Sequence, residues 1–206
     1  MPTTLLSDQD TAERLVRAAE RLFAERGVGA VSLRAVMQAA GTNVASVHYH
    51  FGSKTALVEA VVSSRMEVVS AGRDALVEQL AGADARGLAR AFVQPIADLV
   101  HAGAGAWVQV IGQLLATNDP ALSPISASFF DRNARFVELL GQLDASASPA
   151  TIGFRLTQAM TVTLQVLGDV EVTRSLLTGD GPAWTDEEVV EQLLDVVTAI
   201  LAGPST

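Results

Sequence analysis

The chain has 206 residues, of which 49% are hydrophobic, 18% charged and 5% aromatic, and it contains no cysteine. A chain of this length buries enough apolar surface to fold without staples, and the missing cysteine excludes disulfides, thiolate metal sites and cysteine nucleophiles. Taken as an average, the net charge of -9 from 14 basic and 23 acidic residues argues against nucleic acid as a partner.

Leu15, Ala18, Ala19, Leu22 and Phe23 recur at the spacing of one helix face. They predict a first helix of about four turns, with Asp10 and Glu13 as N-cap and N3 of a capping box and Gly27 as the stop. Ser32 caps a short second helix whose apolar face is Leu33, Val36, Met37 and Ala40, ended by Gly41. Asn43 caps a third, with Val44, Val47 and Phe51 on one side. Gly52 and Ser53 close it and open a long fourth helix expected to run from Lys54 to about Leu80. Two short helices joined by a glycine-containing turn and packed on a preceding helix describe a helix-turn-helix module. The helical pattern continues beyond it, punctuated at Pro95, Gly103 to Gly105, Pro120, Pro124, Ser146 to Pro149 and Gly179 to Pro182. There is no alternation of period two, so the fold class is all-α, with a helix-turn-helix domain over 1–53 and a larger helical domain over 54–206.

No apolar run approaches the roughly 18 to 20 residues of a membrane span, because Arg90, Pro95, Asp98 and His101 interrupt the richest stretch, Leu88 to Ala116. The opening MPTTLLSDQD lacks the charged and apolar regions of an export signal, which predicts a cytoplasmic protein with no membrane partner.

The charge is unevenly placed. Residues 1–64 hold six basic and six acidic residues, so the whole of the -9 lies in residues 65–206. Between Arg26 and Val58 there is no Asp or Glu, and this window holds Arg34, His48, His50, the only lysine, Lys54, and the only tyrosine, Tyr49. A helix that enters the major groove must bury one face and offer small or hydrogen-bonding side chains on the other. On a helical wheel Ala45, Ser46 and Tyr49 lie opposite Val44, Val47 and Phe51, with His48 and His50 on the flanks. Two residues apart, the histidines diverge and make a poor metal pair. Lys54 and the free N–H groups at the start of its helix suit a phosphate oxygen.

These residues carry a resemblance. The segment AAGTNVASVHYHFGSKTAL from Ala39 to Leu57, with the preceding AAERLFAERGVGAVSLRAV, resembles the DNA-binding domain of the TetR family of transcriptional regulators. It is most similar to the branch whose recognition helix ends in an aromatic-His-Phe followed by Gly-Ser-Lys. The resemblance is dense over about residues 11 to 60 and implies DNA contacts from Ser32, Arg34, Thr42, Asn43, Ala45, Ser46, His48, Tyr49, His50 and Lys54. His48 and Thr42 depart from the more common Asn or Tyr and Val. The resemblance further implies a C-terminal regulatory domain that dimerises through its last helices, encloses a small-molecule pocket and releases the operator when an effector binds. The partners it implies are a double-stranded DNA operator, a small-molecule effector and a second copy of the chain.

The later helices supply candidates for these roles. Val189, Leu193, Val196 and Ile200 form one stripe of the last helix and Val190, Leu194, Val197 and Leu201 an adjacent one, and the helix from Ile152 is also apolar on more than one side. An apolar arc this wide predicts burial from two directions, with Ile152, Leu156, Val189, Leu193, Val196, Val197 and Ile200 at a dimer interface. The predicted pocket draws on Met66, Phe92, Ile96, His101, Trp107, Ile111, Leu114, Phe129, Asn133, Phe136, Met160 and Leu164, with Gln109, Gln113 and Gln158 as further polar groups. Few charges in these segments point to a lipophilic or neutral effector. His101 lacks a nucleophile or orienting carboxylate nearby and reads more readily as a helix-end residue than as a catalytic base. Gly103-Ala104-Gly105 follows no strand and reads as a helix break, and Thr185 to Glu188 as a capping box. No catalytic constellation, cofactor or metal is expected. The competing reading is an all-α dimeric interaction module that lacks ligand control or has lost DNA binding.

Overall fold

The computed structural model describes residues 8–42, 49–122, 134–177 and 184–204, which are helical nearly throughout. In chain order the α-helices are α1 (Asp8–Arg26), α2 (Leu33–Ala40), α3 (Lys54–Ser63), α4 (Met66–Glu78) and α5 (Ala85–Leu99). They are followed by α6 (Gly105–Ala116), α7 (Ala134–Leu143), α8 (Pro149–Gly168), α9 (Val170–Leu177) and α10 (Asp186–Ala202).

Local chemistry sets most of these boundaries. The Ser32, Ser53 and Ser148 hydroxyls accept from the backbone N–H three residues ahead, at 3.2, 3.1 and 3.1 Å, and so open α2, α3 and α8. Thr185 and Glu188 form the expected reciprocal capping box of α10. At the end of α1 the Gly27 N–H donates to the Phe23 carbonyl at 2.8 Å. α1 is already helical at Asp8, where the described residues begin, so Asp10 and Glu13 lie within the helix. Carboxylates there still favour the positive end of the helix dipole. The cap predicted at Asn43 lies outside the described residues.

The long helix expected from Lys54 to Leu80 is two helices. Ser64 ends α3, its hydroxyl donating to the Val61 carbonyl at 2.7 Å, and Arg65 leaves helical geometry with φ -126° and ψ 0° before α4 starts. A serine hydroxyl that takes a helix carbonyl offers the backbone an alternative to propagation. In the opposite sense, Arg90, Pro95, Asp98 and His101 do not break the next segment. α5 and α6 are two helices that meet at a kink within Val100–Ala104, as the expected break at Gly103 to Gly105 predicts, and together they make a kinked rod, Ala85–Ala116, long and apolar enough to cross a membrane by length and composition. Its Leu88, Phe92, Val93, Ile96, Trp107, Val108 and Leu114 are buried against other helices, as in a core helix. The rod changes direction at Gly103, whose φ of +85° belongs to the left-handed region.

One apolar core runs from Leu15 and Phe23 of α1 through Leu57 and Val61 of α3 to α5, α6, α8 and Leu194 and Leu201 of α10. Phe92 and Phe136 stack within it at 5.8 Å, and the Arg73 guanidinium lies 5.0 Å over the Phe92 ring. Burial pushes Arg73 down to about 10, against the opposing pull of the Asp74 carboxylate.

The expected dimer stripe needs correction. Ile152, Leu156, Val189, Leu193 and Val197 are buried in the protomer's own core. Of the seven residues named, Val196 is 48% exposed and Ile200 half-buried, and Phe154 of α8, which was not named, is 66% exposed. The wide apolar arc of α10 is filled chiefly by α5, α7 and α8 of the same chain.

Candidate nucleic-acid interface

The interface begins with a turn. α2 ends at Gly41, whose φ of +63° reverses the chain, and Thr42 follows with its N–H donating to the Met37 carbonyl at 3.0 Å. The Thr42 hydroxyl donates to the same carbonyl at 3.5 Å, so it completes the cap of α2 and faces its own backbone. Arg14 of α1 donates to the Ala40 carbonyl and, at 3.4 Å, to the Gly41 carbonyl. The helix carbonyls left open at the end of α2 are thus held by a guanidinium 26 residues away. The apolar pattern of α1 assigns no role to Arg14.

Around this turn Ser32, Arg34 and Tyr49 face solvent, and Thr42, His50 and Lys54 are half-buried. Ser32 and Arg34 are exposed at the start of α2, although the Ser32 hydroxyl already serves as its cap. Tyr49 is 75% exposed and meets His50 edge to face at 5.0 Å. Phe51 turns the other way and packs on the core, as the helical wheel predicts. Gly52, with φ +70°, then leads into Ser53 and α3. Lys54 sits at the first position of α3, and its Nζ donates to the Gly29 carbonyl at 3.3 Å, bridging α3 to the connection between α1 and α2. Asn43, Ala45, Ser46 and His48 lie outside the described residues.

Residues 15–61 match the family model described as bacterial regulatory proteins, tetR family, and residues 90–199 match the tetracyclin repressor-like C-terminal domain. The chain belongs to the TetR family. Over 59 residues, 29% of its length, it is 36% identical to the HTH-type transcriptional regulator TtgR of Pseudomonas putida, a match that spans 28% of TtgR. Among solved structures, the TetR-like regulator LfrR from Mycobacterium smegmatis in complex with proflavine superposes with a TM-score of 0.63. It is 17% identical, over 98% of this chain and 100% of LfrR. The probable transcriptional regulatory protein RHA5900 gives 0.60 at 22% identity over 94% of this chain and 100% of its own. At these identities the structures establish the TetR fold.

Within that fold the residues named for an effector pocket are not all brought together. Phe92, Ile96, Trp107, Ile111, Leu114, Phe136 and Leu164 are buried in the one core, with Met66 and Met160 packed at its edge. His101 is exposed on the π-type turn beside Gly103, as a helix-end residue, and does not face that core. Phe129 and Asn133 lie outside the described residues. The Trp107 indole is engaged, donating to the Val61 carbonyl at 2.9 Å. Gln113 Oε1 and Thr163 Oγ1 are buried acceptors without a hydrogen bond among the described residues. A surface cleft lies elsewhere, between α4 and α5, lined by Leu76, Gln79, Leu80, Asp84, Arg86, Gly87 and Arg90. None of the residues named for the pocket lines it.

Proposed function

We propose that this TetR-family chain is a homodimeric, ligand-responsive transcriptional regulator, a repressor released from a palindromic DNA operator by a small effector. The carrying observation is the braced turn at Gly41, flanked by exposed Arg34 and Tyr49 within a stretch of sequence that holds Lys54 and no acidic residue, while every acidic residue in excess lies beyond residue 64. Phosphate recognition needs that local absence of repulsion, whatever the charge of the whole chain. Residues 1–53 form the DNA-binding domain and 54–206 the regulatory domain, in the branch marked by Tyr49-His50-Phe51 and Gly52-Ser53-Lys54. Ser32, Arg34 and Lys54 meet the phosphates, with Thr42 shaping the turn between them and His48 and His50 at the groove walls. Asn43, Ala45, Ser46 and Tyr49 read the groove.

The effector enters the region of Phe92, Trp107, Ile111, Phe136 and Leu164, and the Gln113 and Thr163 oxygens, buried without a hydrogen bond among the described residues, support polar contacts for a mostly apolar ligand. That LfrR holds proflavine supports a small molecule in a domain of this shape. The second copy packs on the outward sides of α8 and α10, at Phe154, Val196 and Ile200, and the regulator works in the cytoplasm. The test is selection of a randomised duplex library by the whole chain. An enriched sequence with two inverted half-sites is expected, and recovery of no preferred sequence would remove the operator from this reading.

A further inference from the structure

Among the described residues, three side-chain links tie α1 and α3 to the parts of the chain behind them. The Arg65 guanidinium donates to both oxygens of Glu20 at 3.3 Å, and that carboxylate is buried on α1. Gln113 Nε2 of α6 donates to the Ala24 carbonyl of α1 at 3.1 Å. The Trp107 indole N–H, also on α6, donates to the Val61 and Val62 carbonyls of α3 at 2.9 and 3.2 Å.

The third link falls where a helix needs it. The last carbonyls of a helix have no partner in their own ladder. In α3 the stop comes at Ser64, and the carbonyls just before it are covered by the Ser64 hydroxyl and by an indole from another helix. Trp107 is 2% exposed, so no water competes for its N–H. The Glu20–Arg65 pair closes over the same break from the α1 side, because Arg65 is the residue that separates α3 from α4. The opposite end of α3 carries Lys54. A ten-residue helix is about 15 Å long, so tilting α3 by about 10° around its held end moves Lys54 by about 2 to 3 Å. That is the difference between a phosphate hydrogen bond and none.

We infer that Trp107, with the Glu20–Arg65 pair, is a positioning residue for DNA recognition, fixing the C-terminal end of α3 and thereby the angle at which the head meets the duplex. The inference rests on the DNA-binding reading above. It differs from a role in filling the core, since the indole N–H and not the ring area does the positioning.

The test uses the whole chain and the duplex it selects from a randomised library. Trp107→Phe keeps an aromatic ring and removes the donor. It is expected to weaken binding by up to about tenfold, the value of one buried neutral hydrogen bond, and to lower the salt slope toward that of a chain without Lys54, because a freed α3 carries Lys54 off its phosphate. Glu20→Gln and Arg65→Ala are expected to weaken it in the same way, and Arg65→Lys to restore part of the loss. The second readout needs no variant of reduced stability. The chain has two tryptophans, so an indole N–H spectrum of the wild type has two signals, assigned with Trp107→Phe. The Trp107 N–H is expected to stay slow to exchange with water both without and with the duplex, since the bond that holds α3 is kept in both states, with Trp184 as the internal reference. Unchanged affinity in folded Trp107→Phe, or a Trp107 N–H that exchanges as fast as that of Trp184, overturns the inference while leaving DNA binding intact. If the library yields no preferred duplex, the DNA-binding reading fails and takes the inference with it.

Discussion

Gly41 and Arg14 show how much of the interface rests on single residues. Gly41 has a positive φ, and a Cβ placed there would meet the Arg14 guanidinium at 2.9 Å. Gly41→Ala is therefore expected to lower stability by about 1 to 2 kcal/mol, from left-handed backbone strain and displacement of Arg14 together, as read in a urea titration. Lys54→Ala is expected to weaken binding to all duplexes alike and to reduce the salt slope by about one unit. An unchanged slope would place Lys54 off the phosphates and leave it as the strap to Gly29. Gly41 and Lys54 are legible in the sequence, since a glycine stop and an isolated lysine at a helix start are local signals. Arg14 is not, because a lone arginine on the polar side of an amphipathic helix does not disclose an acceptor on another helix. Tyr49 and Phe51 separate to opposite sides for the reason the wheel gives, but Ala45, Ser46 and His48, expected at the DNA, lie outside the described residues.

Helix ends were the most legible elements and helix interruptions the least. Ser32, Ser53, Ser148 and Thr185 announce their helices because a capping side chain acts on its own next turn. Thr185→Ala is expected to lower stability by about 1 kcal/mol, a loss that Thr185→Ser recovers in the same denaturant titration. The break at Ser64 has no glycine or proline to mark it, and part of what stabilises it comes from Trp107, 46 residues away from Val61. Asp144, in the connection between α7 and α8, gives a pH-dependent case. Hydrogen bonds from Ser146, then from Arg155, hold its carboxyl below the usual carboxylate range. A carboxyl lowered in the folded state adds stability above its unfolded value, and that stability is lost as pH falls through the folded one. Asp144→Asn is thus expected to flatten the decline of stability below about pH 4, monitored by circular dichroism during acid titration. A decline as steep as the wild type's would assign the acid sensitivity to other carboxylates.

At the scale of the whole chain, apolar periodicity told that α8 and α10 are wide-faced without telling what fills each side. Most of the arc turned out to face the protomer's own helices, leaving Phe154, Val196 and part of Ile200 outward. Phe154→Glu combined with Val196→Glu is expected to give a monomer in sedimentation equilibrium at micromolar concentration, where the parent chain is expected to sediment as a dimer. A dimer that survives both changes would move the interface to another face. The charge is also a property of the whole: the excess of acid lies away from the head and keeps the rest of the chain from adhering to DNA. The core that begins at Leu15 and ends at Leu201 has a consequence for folding. α1 packs against α2, α3 and α6, so a fragment cut after α3 would leave part of its apolar side bare. The head is therefore no portable module, and heating the full chain is expected to produce one cooperative transition in which recognition and regulation are lost together.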